Sequence, residues 1–434
     1  MDNTPLPWRD IPDLPTVAQR LCRYAEVWTT SDPFATVFPS TERQRDLSQI
    51  LVDELRGLGL DAQIDEWGYV YATIPSTLPP DRAADSPVVA LVAHVDTSCD
   101  APGENVRPHI TQGYAGGTVG LPWGALDPDL QPALAAHVGH DIITSDGSTL
   151  LGSDDKAGLA LAMQLAADLV RSDEAARQQG ERPSPRPTVR LLFTPDEEVG
   201  RGTEHVDLDR LGADIAYTLD GSGRDVLNVE TFCAADATVT FDGVIVHPGY
   251  ANGVMVNAAR AAGHLVSSLP RAEAPETTQG REGFFHPQAI RGDVESAMVH
   301  ILLRDFDEDG LNERRRRLRQ LAEEAAGTWG ASVTVDIVDR YRNMKTYIEA
   351  VDPRAITVAV DAAESLGIDL AFEAVRGGTD GARLSEMGLP CPNVFTGGHD
   401  FHSRFEWNTV QNLEHALRYV HALVRQWGTE SREP

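Results

Sequence analysis

An unbroken apolar run, Val88–Ala93 (VVALVA), limits the folds open to this chain. A strand with one face in water alternates apolar and polar residues, whereas a continuous apolar run is typical of a strand buried on both faces. Two further strand-like segments are Val189–Phe193 and Ile215–Leu219, and helical patterns such as Asp46–Leu58 and Ala157–Val170 alternate with them. We therefore predict an α/β fold, with a mostly parallel sheet covered by helices.

The pattern changes near Asn228. Ala237–Val246 contains two short β runs around Asp242-Gly243, which predicts a hairpin. The helices and strands that follow, as far as Val338, indicate an inserted antiparallel α+β unit, after which helix–strand alternation resumes. We predict a discontinuous main domain, residues 1–228 and 343–434, that carries a smaller α+β domain, residues 229–342. Two polar stretches are expected to be solvated: a loop at Arg171–Pro187 and a basic helix face at Arg314–Arg317.

Charge and composition exclude several classes of protein. The 434 residues include 37 Lys+Arg against 66 Asp+Glu, a formal charge of −29, which would repel nucleic acid. The chain has neither an apolar run of about 18 residues nor a signal-peptide pattern at its start. Its four cysteines are scattered and form no CxxC pair. We therefore expect a cytoplasmic globular protein that has no membrane or nucleic-acid partner.

Ionisable residues follow several of the predicted strands, and two aspartates precede a helix. They are His94, Asp96, Glu197, Glu198, Asp220, His399 and His402, with Asp154 and Asp155 before the helix from Ala157. Ligands of open α/β sheets bind beyond the carboxyl ends of the strands, so these segments should meet at one edge. Carboxylates crowded there would repel one another unless cations held them. Imidazole and carboxylate ligands without thiolate favour catalytic zinc, and cobalt or manganese would also suit them.

Each segment has a simpler interpretation when taken alone. A histidine after a strand is more often structural, adjacent glutamates are usually surface charge, and Asp154-Asp155 could serve as helix-capping residues. The residues themselves leave three choices open: Asp154 or Asp155, Glu197 or Glu198, and His399 or His402. The chain contains no HExxH, GxSxG or GxxxxGK[ST] motif, which excludes zincins, serine hydrolases with a nucleophile elbow, and P-loop proteins.

Six multi-residue motifs resemble the peptidase T family, the tripeptide aminopeptidase branch of the co-catalytic zinc exopeptidases. They are HVDTSCD (94–100), LLGSDDKAG (150–158), FTPDEEVGRG (193–202), VHPG (246–249), RGGTDGA (376–382) and GLPCPNVFTGG (388–398). The resemblance runs in order from about residue 20 onward and includes the insertion. It implies a di-zinc catalytic domain and an inserted lid through which two copies could form a homodimer.

The resemblance also implies a site. His94 and Asp220 would bind one zinc, Glu198 and His402 the other, and Asp155 would bridge them. Asp96 would orient His94, and Glu197 would be the general base. On the substrate side, His247 would stabilise the oxyanion, with a loop-capping histidine as the alternative. Arg304 and Arg376 would bind a substrate carboxylate, although Arg304 could equally form a surface ion pair. His399 is a rival ligand.

The resemblance implies an aminopeptidase that removes the N-terminal residue of short peptides, preferably tripeptides. A hydroxide held between the two ions would attack the peptide carbonyl while Glu197 moved the proton. One alternative keeps the metals but cleaves another amide, as in a dipeptidase, a carboxypeptidase or an N-acyl amino acid deacylase. Another is a non-catalytic peptide-binding protein, although such proteins tend to lose the base or a ligand.

Overall fold

The computed structural model describes residues 3–432, and it divides into two compact units. Unit one comprises the described chain up to Val229, the segment Tyr347–Glu373, and the chain from Thr379 onward. Unit two comprises Glu230–Thr346 and Ala374–Gly378, so residues 374–378 group with the insertion and not with the main domain. The catalytic and lid roles given to the two domains stay predictions.

The described residues form the following strands and helices. The strands are β1 (Leu6–Pro7), β2 (Asp61–Ile64), β3 (Val70–Ile74), β4 (Val89–His94), β5 (His109–Thr111), β6 (Val119–Leu121), β7 (Gly124–Leu126), β8 (Ile142–Thr144), β9 (Val189–Thr194), β10 (Ile215–Gly221), β11 (Val226–Thr231), β12 (Cys233–Asp242), β13 (Phe284–Gly292), β14 (Ser296–Asp305), β15 (Ser332–Tyr341), β16 (Ala371–Val375), β17 (Asn393–Phe395) and β18 (Trp407–Thr409). The α-helices are α1 (Thr16–Ala25), α2 (Gln44–Gly57), α3 (Pro80–Asp85), α4 (Ser153–Gln178), α5 (Leu208–Leu211), α6 (Ala258–Ser268), α7 (Glu308–Trp329), α8 (Met344–Val351), α9 (Arg354–Glu364), α10 (Asp380–Glu386) and α11 (Val410–Trp427).

The large sheet has the strand order β16-β11-β17-β10-β4-β9-β3-β2. Its centre is parallel, because β10 pairs in parallel with both β17 and β4, and β4 pairs in parallel with β9. Towards the edges the pairs β11–β17, β3–β9 and β2–β3 are antiparallel. The predicted α/β fold is confirmed, with a mixed sheet whose parallel part is its central strands.

Helices flank this sheet because its central strands are apolar on both faces. Every residue of β4 is buried. Ala90 and Val92 pack in a cluster with Leu211 of α5 and Leu384 of α10. Their neighbours in β4 point to the opposite face by strand alternation, and α4 packs against β4 and β10. A second, antiparallel sheet in unit one has the order β1-β5-β8-β18.

Unit two is an antiparallel sheet, β13-β14-β12-β15, with α6 and α7 packed on one face. Alternate residues of β12 and β14 point into its core, where they meet the alanine-rich faces of the two helices. The hairpin predicted at Asp242-Gly243 is wrong. β12 ends at Asp242 after pairing along its length with both β14 and β15, so no neighbouring position remains for a returning strand.

Two polar stretches differ in how well the sequence predicted them. The loop predicted at Arg171–Pro187 is partly wrong, because α4 continues to Gln178. The basic run of α7 is a charged face in which every arginine contacts an acidic side chain. The pairs are Arg314 with Asp305 and Glu273, Arg315 with Glu308 and Asp339, Arg316 with Glu313, and Arg317 with Glu273. Within residues 3–432, no helix has the length and apolar character needed to cross a membrane.

Candidate metal centre

Three parallel central strands bring ionisable side chains to one edge of the large sheet. β4 ends at His94, β9 ends at Thr194 just before Glu197 and Glu198, and β10 contains Asp220 near its end. Because these strands are parallel, their carboxyl ends lie side by side. The structure therefore brings these ionisable residues together at one edge of the sheet, as the sequence predicted.

Asp154 lies between the two histidines of the cluster. Its Oδ1 is 2.9 Å from His94 Nε2, and its Oδ2 is 3.3 Å from His402 Nε2. On the outer sides, His94 Nε2 is 3.7 Å from Asp220 Oδ1, and His402 Nε2 is 2.9 Å from Glu198 Oε2. The site thus contains two groups of imidazole and carboxylate atoms joined by one carboxylate.

Asp155 belongs to the same cluster but points differently. It is almost completely buried, and its ligand atom lies within 4.8 Å of those of His94 and Asp220. Its two oxygens accept backbone hydrogen bonds, Oδ1 from Gly158 at 3.0 Å and Oδ2 from His94 at 3.2 Å. Both aspartates have non-helical backbone torsion angles at the start of α4, so their side chains point in different directions.

Two further carboxylates hold the ligating side chains in place. Asp96 accepts hydrogen bonds from the backbone amides of Glu197 at 3.1 Å and Glu198 at 3.2 Å. His94 Nδ1 is 3.0 Å from the backbone carbonyl oxygen of Asp96, its hydrogen-bond partner, and 3.4 Å from the carboxylate atom Oδ1. Asp100 plays a similar part for the other histidine, because its Oδ2 is 3.1 Å from His402 Nδ1. Carboxylates in this position orient metal-binding imidazoles and raise their basicity.

Several carboxylates are buried close together in the cluster, where little water screens their mutual repulsion. Burial and the nearby Asp154 raise the pKa of Glu198 to about 8 and that of Asp220 to about 6. Burial is also the main cause that raises the pKa of Asp155 and of Glu197 well above their usual values. Hydrogen bonds to Asp154 and Glu198 raise the pKa of His402 to about 11. The carboxylates therefore favour positive charge at this place.

This donor set fits divalent cations. Glu198 Oε1 is buried and has no hydrogen-bond partner within the described residues. A buried carboxylate oxygen without a partner is costly unless a ligand completes it. Imidazole nitrogen and carboxylate oxygen are also the donors that catalytic zinc sites use.

His399, the predicted rival ligand, lies in another environment. Its ring stacks on Trp407 with centroids 4.2 Å apart and meets His137 edge-on at 5.2 Å. Burial lowers the pKa of His399 to about 4. Its buried Nε2 atom has no hydrogen-bond partner among residues 3–432, and the histidine that contacts Glu198 and Asp154 is His402.

The three predicted substrate-binding residues lie in unit two. His247 is exposed, and its Nδ1 accepts a hydrogen bond from Gly249 at 3.1 Å, which is the capping contact weighed as its alternative role. The Arg304 guanidinium donates to the carbonyl of Ala235 and lies 3.3 Å from Asp236. Arg376 donates to backbone carbonyls at Gly280 and Glu282 and to the Thr278 hydroxyl. Both arginines thus have partners within their own unit.

Sequence reasoning missed Asp100 and Asp380. Asp100 stands in the same motif as His94, so its place could be guessed, but no spacing rule assigns it to a histidine 302 residues away in the chain. Asp380 is buried, accepts a 2.6 Å hydrogen bond from Thr194, and has its pKa raised to about 7 by burial. Only the fold brings the start of α10 to the end of β9.

Comparisons with known proteins agree with this geometry. The model of peptidase family M20/M25/M40 matches residues 146–426. Peptidase T of Bacillus subtilis (strain 168) is 41% identical over 420 residues, covering 96% of this chain and 99% of the relative. The crystal structure of aminopeptidase PepT from Bacillus cereus ATCC 10987 is similar in fold, with a TM-score of 0.72 and 20% identity over 95% of this chain and 98% of that one.

A more distant structure shares the fold at 16% identity and a TM-score of 0.58, covering 94% of this chain and 96% of its own. It is the Bacillus subtilis YXEP protein, described as a dinuclear metal-binding peptidase of the M20 family. The resemblance seen in the sequence motifs is confirmed by the full-length similarity to peptidase T. The chain belongs to peptidase family M20/M25/M40 and, within it, to peptidase T.

Proposed function

We propose that this protein is a metal-dependent aminopeptidase that releases the N-terminal residue of short peptides, preferably tripeptides. The observation that carries the proposal is the position of Asp154, whose two oxygens contact His94 and His402 while Asp220 and Glu198 flank them. Membership of the peptidase T branch supports this activity over the dipeptidase, carboxypeptidase, deacylase and non-catalytic alternatives.

Two divalent cations are the proposed cofactor, with zinc as the native metal and cobalt or manganese as substitutes. His94 and Asp220 would hold one ion, and Glu198 and His402 the other. We propose Asp154 as the bridging ligand in place of the predicted Asp155. Asp154 contacts an imidazole on each side, whereas the Asp155 oxygens already accept hydrogen bonds from backbone amides.

Divalent cations supply Lewis-acid chemistry when bound, because they polarise a carbonyl and lower the pKa of a coordinated water from 15.7 to about 7. The attacking water would have to lose a proton, and a nearby side chain would have to accept it. Burial raises the pKa of Glu197 well above its usual value, so this side chain can take a proton from water and give it to the departing amine. The two Asp96 hydrogen bonds fix the turn that holds Glu197.

The roles of the unit-two residues stay predictions. Because His247 Nδ1 accepts from Gly249, the neutral ring carries its proton on Nε2, where it could donate to an oxyanion. Arg304 uses Nη1 for its present contacts and Arg376 uses both Nη atoms, so a substrate carboxylate would have to share or replace these contacts. A homodimer through the lid, a cytoplasmic location and the absence of nucleic-acid partners are likewise still predictions.

A substrate panel analysed by mass spectrometry tests the function. We expect rapid loss of the first residue from free tripeptides and much slower cleavage of N-acetylated tripeptides, dipeptides and N-acyl amino acids. Glu197→Gln should bind metal and lose about 10²–10⁴-fold in kcat. Glu204→Gln, at an exposed surface ion pair, is the matched control. Equal cleavage of free and acetylated tripeptides would contradict an aminopeptidase.

A further inference from the structure

The loop that carries Asp154 is held by a buried glutamate that has no role in the proposed chemistry. Glu406 is 1% exposed, and its carboxylate accepts three backbone hydrogen bonds. Oε2 accepts from the amides of Leu151 at 2.9 Å and Gly152 at 2.7 Å, and Oε1 accepts from the amide of Asp154 at 2.9 Å. A carboxylate suits this place because it presents only acceptors to three donors.

The same segment also holds the remaining residue of the loop. Two positions after Glu406, the Asn408 side-chain amide donates to Ser153 Oγ at 2.9 Å. Each residue from Leu151 to Asp154 is therefore bonded to the segment that begins at Glu406. Since the backbone of Asp154 is not helical, α4 alone does not set its direction, and the hydrogen bond from its amide to Glu406 helps to fix it.

Glu406 also lies on the loop that presents His402. The ends of this loop are joined by paired backbone hydrogen bonds between His399 and Trp407, at 2.8 and 3.1 Å. Inside it, the Trp407 indole donates to Asp400 Oδ2 at 2.7 Å. One compact loop therefore carries His402 and, next to its closure, the carboxylate that holds Asp154.

We propose that Glu406 is a positioning residue that couples Asp154 to His402 and thereby sets the cation affinity of the centre. The Glu406 carboxylate is directed at three backbone amides and is not among the proposed metal ligands, so it would act by fixing the distance between a carboxylate and an imidazole on different segments. The inference rests on the proposed metal centre. Outer-shell partners of this kind typically change metal affinity about 10- to 100-fold.

Glu406→Gln tests the proposal with the full-length protein. The glutamine carbonyl can still accept from Leu151 and Gly152, but its NH₂ group then faces the amide of Asp154. Cation-free parent and variant are titrated with Co²⁺, and affinity and stoichiometry are read from the visible absorption. We expect the Co²⁺ dissociation constant to rise about 10- to 100-fold while the circular dichroism spectrum is kept. The control is Glu414→Gln, at an exposed position of α11, which should bind Co²⁺ like the parent.

Each outcome supports or overturns the proposal. A folded Glu406→Gln with parental Co²⁺ affinity overturns the role of Glu406 but leaves the metal centre standing. A parent protein that binds no Co²⁺ overturns both. If Glu406→Gln does not fold, Glu406→Asp decides, since it keeps the charge on a side chain too short to reach all three amides. Weaker Co²⁺ binding by folded Glu406→Asp supports the proposal, and parental affinity rejects it.

Discussion

At the scale of single residues, the two adjacent aspartates of the site differ clearly in what their side chains contact. Asp154 contacts both ligand histidines, whereas Asp155 binds the amides of Gly158 and His94. We expect Asp154→Asn to reduce cation affinity far more than Asp155→Asn, because it would remove the charge that we propose bridges the two ions. Isothermal titration of the two variants with Zn²⁺ measures the difference. The opposite ranking would restore Asp155 as the bridge.

Sequence reasoning reached this pair but could not choose within it. The residues left Asp154 and Asp155 as equals, and the family resemblance then favoured Asp155. What separates them is the backbone at the start of α4, where both residues depart from helical torsion angles. Two identical neighbouring residues carry no sequence signal that predicts their backbone torsion angles. Proposing one of them as the bridging ligand therefore required the structure.

His399 should affect the pH dependence of stability and not cation binding. Its pKa is lowered by burial from 6.5 to about 4 in the folded protein. Between these values the unfolded chain takes up a proton that the folded protein does not, so stability falls as pH drops through this window. The full effect is about 3 kcal/mol. Burial also lowers the pKa of His137 and His140 beside it, so part of the slope belongs to them.

Replacement of His399 by phenylalanine, which can keep the stacking on Trp407, should reduce the loss of folding stability as the pH falls from about 6.5 to about 4. Urea unfolding of cation-free parent and variant between pH 4 and pH 7 measures the difference. Zn²⁺ binding by the variant should equal that of the parent. A large loss of affinity would instead identify His399 as a ligand.

At the scale of elements, α4 approaches β10 closely because residue 158 is glycine. A Cβ at Gly158 would overlap the carbonyl oxygen of Leu219 and the Asp155 carboxylate. Gly158→Ala should therefore push α4 away from Asp220, cost about 1–3 kcal/mol of stability and weaken Zn²⁺ binding. Gly327→Ala is the control, since its Cβ would meet nothing within 4 Å in α7, and it should stabilise by about 0.5–1 kcal/mol. Equal melting temperatures for the two variants would contradict the close approach.

The last turns of α4 are fixed by a buried ion pair that the sequence did not reveal. Arg186 donates to both oxygens of Asp173, at 2.8 and 2.6 Å, and their side chains are 5% and 8% exposed. Arg186→Ala removes both hydrogen bonds to this aspartate and leaves it only the more distant Arg177, so it should cost about 3–5 kcal/mol in urea unfolding. Arg177 is 64% exposed and lies 3.7 Å from the same carboxylate. Arg177→Ala should therefore lower the free energy of unfolding by less than about 1 kcal/mol. Similar losses for the two would show that burial is not what matters.

The elements that could be predicted from sequence are those with a strong period or apolar run. β4, β9, β10 and α2 were predicted close to their observed bounds. The three-residue strands β5, β8 and β18 are too short to show alternation, and β13 carries a proline and several polar residues. The end of α4 is exposed and polar, which removes the period that marks a helix. Such segments take their structure from neighbours distant in the chain.

At the scale of the whole molecule, cation binding should stabilise unit one because it relieves repulsion among buried carboxylates. We expect chelation to abolish peptidase activity and lower the melting temperature, and Zn²⁺ or Co²⁺ to restore both. A free cation at about 100 times its dissociation constant would contribute about 2.7 kcal/mol. Differential scanning calorimetry with and without chelator measures this. Unchanged activity after complete metal removal would contradict a metal-dependent enzyme.

The wide spacing of the ligand segments along the chain has a consequence for synthesis. His94, Asp154, Glu198 and Asp220 are made long before His402 and Glu406, as are the strands β4, β9 and β10. A ribosome-bound chain would therefore contain most of the proposed metal ligands while one histidine is still missing. We therefore expect hydrolytic activity to begin only after the loop that carries His402 has been made and has packed beside Asp154.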